Sequence, residues 1–174
     1  MLKIFITNLS EYNNGNLIGE WISLPTDSSF LNQTIRKILS SDNSEKIFIT
    51  DWEWVDISVF EIGKYDNVQM LNAKLFKLHQ LTSYQLESIS FLISENICYS
   101  DDIDDCINHS YDVVIHRNKT MIDIAKERIK EMVGLSEIPS IITNNIDYDG
   151  VADEIRVDGY FVDGDNNTIY EYIE

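Results

Sequence analysis

Apolar residues change their spacing twice along this chain, and the change limits the folds open to it. Residues 2–7 alternate and are rich in Ile and Phe, and Leu17 to Leu24 follows after the turn cluster Asn13-Asn14-Gly15-Asn16, which reads as a hairpin or strand pair. Pro25 closes that pair. Asp27-Ser28-Ser29 can then cap a helix carrying Phe30, Leu31, Ile35, Ile38 and Leu39. Ser40 to Glu45 breaks this helix, and Lys46 to Glu53 is a third strand that runs into an acidic, aromatic loop. From Asn67 the spacing becomes three or four, at Val68, Leu71, Leu75, Leu78 and Leu81 and again at Leu86, Ile89, Ile93 and Ile97. Two amphipathic helices are expected, the second capped by Thr82-Ser83. A short acidic helix follows over 101–108.

Beyond residue 110 strand character returns. Tyr111 to His116 is a short β-type run, and Thr120 caps a helix with Met121, Ile124, Ala125, Ile129 and Met132 on one face, ended by Gly134. After Pro139 comes a short helix or turn with Ala152, Ile155 and Val157. Gly159 to Val162 and Thr168 to Ile173 form a terminal hairpin around Asp163-Gly164-Asp165-Asn166-Asn167. The fold class is therefore α+β. Three small modules are expected, a mixed sheet and helix module at 1–62, a helical module at 63–110 and a second mixed module at 111–174. Two prolines and seven glycines in 174 residues supply no flexible tether between them.

Charge narrows the partners. Thirty Asp and Glu against 13 Lys and Arg give a net charge of −17, spread as −5, −4 and −8 over the three modules. Such a surface repels phosphate backbones and anionic lipid, so direct nucleic-acid binding and membrane association are disfavoured, and partners with basic grooves are favoured. Within the last 38 residues ten acids face Arg156 alone. A solvated acidic coat kept for solubility explains this as composition. The alternative is mimicry. Duplex DNA carries one charge per about 1.7 Å of axis, so −17 matches roughly 29 Å of duplex and a dimer roughly 58 Å.

Patterns that suggest chemistry fail in detail. His79, His109 and His116 have no zinc-ligand spacing, and neither Gly-x-Ser-x-Gly nor a Gly-x-x-x-x-Gly-Lys cradle occurs. Asp163, Asp165, Asn167 and Glu174 fall at calcium-loop positions, but Thr168 stands where the sharp turn needs glycine. Asp51 and Glu53 hint at a metal nuclease, yet no catalytic lysine follows. No metal or cofactor is expected. Cys98 and Cys106 resemble neither a disulfide framework nor a metal hook, and are read as reduced structural thiols. No signal-peptide core or 18-residue apolar run occurs, so a soluble cytoplasmic protein is expected.

The segment Leu9 to Pro25, with Tyr12-Asn13-Asn14-Gly15, Gly19-Glu20-Trp21 and Leu24-Pro25, resembles the opening of the ArdA antirestriction proteins. Phe48-Ile49-Thr50-Asp51-Trp52-Glu53 and Asn67 to Asn72 are similar to that family's next markers, and Glu137-Ile138-Pro139, Ile146 to Asp149 and Gly159-Tyr160-Phe161 follow in its order. The resemblance spans essentially the whole chain. It implies a non-enzymatic DNA mimic: three modules in an elongated, curved, acidic homodimer that occupies the DNA groove of type I restriction-modification enzymes, at the methyltransferase core and specificity subunit. Blocking that groove protects incoming mobile DNA.

The carboxylates expected to stand in for phosphates are Asp51, Glu53, Asp56 and Glu61 in the first module and Asp101, Asp102, Asp104 and Asp105 in the second. Asp147, Asp149, Asp153, Glu154 and Asp158 complete the set in the third. Lys64, Lys74 and Lys77, with Ser88 and Ser90 in place of acids, mark the middle as the weaker mimic. Ile146 stands where an aromatic is expected, and Arg117 and Lys119 interrupt an acidic face. Trp21, Trp52 and Trp54 are read as core or inter-module packing. Tyr12 and Tyr148 could pack or face a partner. The alternatives are a mimic aimed at another DNA-groove enzyme such as a CRISPR effector, a generic acidic interaction module, and an enzyme with an unrecognised site.

Overall fold

The computed structural model describes residues 1–39, 46–133 and 139–173. The expected helix break at 40–45, the stop at Gly134, the Glu137-Ile138 part of one family marker and Glu174 lie outside the described residues. The chain forms two compact units, Met1–Ile107 and Asn108–Glu174. The division lies three residues before the expected boundary at 110, whereas residue 62 falls inside the first unit.

The first unit is built on a three-stranded antiparallel sheet of order β2-β1-β3, from β1 (Leu2–Asn8), β2 (Gly19–Leu24) and β3 (Ile47–Trp54). The expected strand pair forms, but α1 (Leu9–Asn13) interrupts its connection. Asn8 starts that helix because its side-chain oxygen accepts the Ser10 and Glu11 N–H groups at 3.0 and 3.2 Å. Leu2, Ile4, Ile6, Ile22 and Leu24 line the inner face against Leu31, Ile35 and Ile38 of α2 (Ser28–Leu39). Asp27 accepts the Ser29 hydroxyl and caps α2 by accepting the Phe30 and Ser29 N–H groups, and these bonds, the hydroxyl first, hold its carboxyl below the ordinary 3.8.

The helical segment is clamped to this sheet module. In α3 (Val68–Leu78) the buried Asn72 accepts the Thr26 N–H at 2.8 Å and donates to the Thr26 carbonyl at 2.9 Å. Those two bonds satisfy a backbone that packing would otherwise leave unpaired. In α4 (Ser83–Ser94), Thr82 and Gln85 form a reciprocal capping box. Ser88 is fully buried and donates to the Tyr84 carbonyl, while Ser90 donates to the Ser58 carbonyl, both at 2.9 Å. A carboxylate at position 88 would be dehydrated, which gives a packing reason for serine there.

The cysteines require a correction. The chain from Cys98 turns back before α5 (Ile103–His109), bringing the two Cα atoms to 5.6 Å, and Cys98 and Cys106 form a disulfide between buried positions. The expectation of reduced thiols is replaced: eight residues of separation close a loop once the turn is in place.

The second unit carries the sheet β4-β6-β5, from β4 (Val113–Arg117), β5 (Tyr160–Gly164) and β6 (Thr168–Tyr172), all antiparallel. The expected terminal hairpin forms. Asn166 and Asn167 both have φ of 55° and the Thr168 N–H donates to the Asp165 carbonyl, the geometry of a type I′ turn. A 3-10 turn at Ser110–Asp112 leads into β4. α6 (Met121–Val133) packs on α8 (Tyr148–Asp158), and a four-residue helix, α7 (Ser140–Thr143), lies between them in sequence. Ile124, Ala125 and Ala152 are buried, but Met132 and Val157 are exposed, so the helical apolar faces are narrower than their spacing suggests.

Candidate functional site

Charged side chains are rarely buried without partners, and all thirteen carboxylates singled out from the sequence lie on the surface. Tertiary structure divides them. Glu53 pairs with Lys3 at 3.6 Å and Asp56 with the N-terminal amine at 3.0 Å. Lys74 and Lys77, one turn apart on α3, reach across to Asp101 and Asp104 at 3.1 and 2.5 Å. The lysines that break the acidic pattern therefore neutralise part of the cluster beside them. Asp102 accepts the Asp105 N–H at 3.2 Å, and Asp51 accepts the N–H of Trp52 at 2.8 Å.

The third group lies on α8. Asp147 is its N-cap, accepting the Gly150 N–H at 3.0 Å, so one carboxylate has a structural task. Asp149 and Asp153 stand one turn apart, as do Glu154 and Asp158, about 6 Å of helix rise in each case. Like charges at this spacing disfavour the helix by about 0.2–0.5 kcal/mol per pair. Arg156, the base on α8, is engaged bidentately by Asp163 at 2.8 and 3.0 Å, which raises the arginine pKa further. Asp149 in the first turn is favoured by the helix dipole and Asp153 faces Arg156, so the uncompensated repulsion falls on Glu154 and Asp158 near the C-terminal end.

Lys64 sits 4.9 Å from the Phe48 ring centroid and within 6 Å of those of Tyr12 and Tyr65. Tyr12 packs edge-on to Phe48 at 5.1 Å, and Tyr148 lies under Lys126 at 5.5 Å, so both tyrosines left open above have packing roles. Trp54 packs edge-on to Phe60 at 5.3 Å, but Trp21 and Trp52 are 49% and 43% exposed and are not core residues. Among the described residues the one buried acid is Glu171, which no spacing argument singled out; it meets His116 at 2.8 Å and Arg128. Among the described residues no group of three or more His, Cys, Asp or Glu side chains is placed to hold a metal, and no helix is long and apolar enough to cross a membrane.

Comparison with protein families shows a match between residues 4–169 and the model of the antirestriction protein ArdA. The chain belongs to the ArdA antirestriction family. No curated protein sequence matches it significantly. The family match covers both units, from β1 into β6, and so spans the residues of α8 as well as the sheet of the first unit.

Proposed function

We propose that this ArdA protein acts without catalysis or cofactor, as a homodimeric DNA mimic that occupies the DNA-binding groove of a type I restriction-modification enzyme. The observation that carries the reading is α8. Its four exposed acids crowd into residues 149–158, Glu154 and Asp158 form a like-charged pair one turn apart, and its own base is held by Asp163. A solubility coat needs negative charge but no such clustering on one helix. A basic groove evolved for phosphates would attract this cluster and relieve the repulsion between Glu154 and Asp158 when it closes over them.

The test is competition for a type I methyltransferase core bound to labelled duplex. Wild-type protein should release the DNA stoichiometrically, and its direct binding should weaken as salt rises. The quintuple variant Asp147→Asn, Asp149→Asn, Asp153→Asn, Glu154→Gln and Asp158→Asn keeps an N-cap at 147, because asparagine caps as well as aspartate. At about 0.2–1 kcal/mol for each exposed charge contact, five losses should raise the protein needed by about fivefold or more. Unchanged competition by a folded quintuple variant rules out mimicry by α8. Light scattering that finds only a 20 kDa species at micromolar concentration rules out the dimer.

A further inference from the structure

The outer face of the first sheet sets exposed aromatic surface beside Asp51 and Glu53, which phosphate mimicry alone does not require. The strand registers place Trp21, Phe5 and Asp51 in one row across β2, β1 and β3, and Ser23, Lys3 and Glu53 in the next. The third row is Gly19, Thr7 and Phe48, and there Tyr12 and Tyr65 pack on Phe48. The first two rows lack such a lid, and Trp21, Ser23, Lys3, Asp51 and Glu53 are all exposed. Gly19 shapes the row beside it: a Cβ there would stand 2.8 Å from the Phe5 ring and 2.4 Å from the Ile6 carbonyl oxygen. The ring therefore leans over β2 and meets Trp21 edge-on, with centroids 5.5 Å apart.

We infer that this row is a docking site for an arginine of the inhibited enzyme, whose guanidinium lies on the Trp21–Phe5 pair and donates to Asp51. As a contact with that enzyme it rests on the mimicry reading above. Three adjacent strands put Trp21 and Asp51 about 10 Å apart at the backbone, a span that one arginine laid across the row bridges. The face is complementary in charge. Lys3, the cation in these rows, is already paired with Glu53 at 3.6 Å, and Asp51 is oriented by the Trp52 N–H on one of its oxygens. A planar guanidinium stacks on an indole and keeps an N–H edge for a carboxylate, which a lysine ammonium cannot do. A second copy of this chain is a poor occupant, because it would bring the same two carboxylates and a lysine already in use. Half-exposed tryptophan beside a carboxylate is also the composition of an energetic centre in an interface, where Trp and Arg are enriched.

Two measurements on the full chain separate this site from general acidity. Labelled hexa-arginine and hexa-lysine carry equal charge, so wild-type protein should bind the arginine peptide several-fold more tightly. Trp21→Ala should bring the ratio close to one, and Trp21→Phe should retain part of it. In the DNA-competition assay Trp21→Ala should require about tenfold more protein with the salt slope of its direct binding unchanged. Asp51→Asn should require about threefold more with a shallower slope, and the double variant less than the product of the two. Circular dichroism establishes that each variant is folded. Equal binding of the two peptides by wild type, or a ratio that Trp21→Ala leaves intact, overturns the site. Competition undiminished in folded Trp21→Ala also overturns it while mimicry stands. Failure of wild type to displace DNA defeats the mimicry reading instead, and the peptide ratio then decides this site by itself. Conversion of a dimer to monomer by Trp21→Ala assigns the face to self-association and overturns the proposal.

Discussion

Replacing Glu171 by alanine should destabilise the second unit selectively. Glu171 lies on β6, the central strand of its sheet, opposite Val114 on β4 and Phe161 on β5. Its side chain is 10% exposed and that of His116 is 12% exposed, and its two oxygens serve His116 and Arg128, the latter also 5.3 Å from the Phe161 ring centroid. Removing the carboxylate takes this partner from the nearly buried His116 and returns Arg128 to water. Breaking a fully buried ion pair costs about 3–5 kcal/mol, but Arg128 is 38% exposed and regains water, so about 2–3 kcal/mol is expected. For a domain of under 100 residues that lowers the midpoint by roughly 10–20 °C. The assay is built into the chain, because Trp21, Trp52 and Trp54 all lie in the first unit. Tryptophan fluorescence follows that unit, whereas far-ultraviolet circular dichroism follows both. Glu171→Ala should split two transitions apart, with the dichroism falling first and the fluorescence midpoint nearly unmoved. Glu171→Gln should lose about half as much, since an amide oxygen still accepts one bond. A dichroism midpoint unchanged in Glu171→Ala, or a fluorescence midpoint that falls equally, would refute this account of what holds the unit.

Three further outcomes follow from the same geometry. Asn167→Val should lower the stability of the second unit by about 1–2 kcal/mol in urea unfolding, because a β-branched residue opposes the φ of 55° that the hairpin requires. Lys77→Gln should cost well under 1 kcal/mol, as an exposed pair does, yet release Asp104 and strengthen competition with DNA at low salt; weaker competition would show that the pair is needed to present the cluster. Asp27→Ala should lower the melting temperature at pH 7. The Asp27 pKa is depressed in the folded chain, so its contribution is present above the ordinary 3.8 and is lost as pH falls through the folded value; wild type and variant should converge there, and a constant gap would contradict the cap assignment.

Much of the architecture was legible because it depends on neighbours in the chain. Alternation marked β1, β2 and β3, three-to-four spacing marked α2, α3 and α4, and Asp27, Thr82 and Thr120 capped helices as their positions suggested. α1 was hidden by its length of five residues, although Asn8 before Ser10 and Glu11 was a readable cap. α7 was hidden likewise. The apolar stripe of α4 shifted, since Ser88, Ile89, Phe91 and Leu92 are the buried positions and Leu86 and Ile93 are only half-buried.

By itself the sequence determined the mixed α+β character and the acid excess, because periodicity acts locally and charge is summed from composition. Only the tertiary structure decided which acids lie at the surface and which are paired with bases. Asp101 and Asp104 meet lysines 27 residues away, Glu171 is drawn between His116 and Arg128, and Trp21 is left uncovered by the strand order β2-β1-β3. Pairing and exposure at these positions depend on which elements lie side by side, and residue spacing along one element carries no record of its neighbours in space.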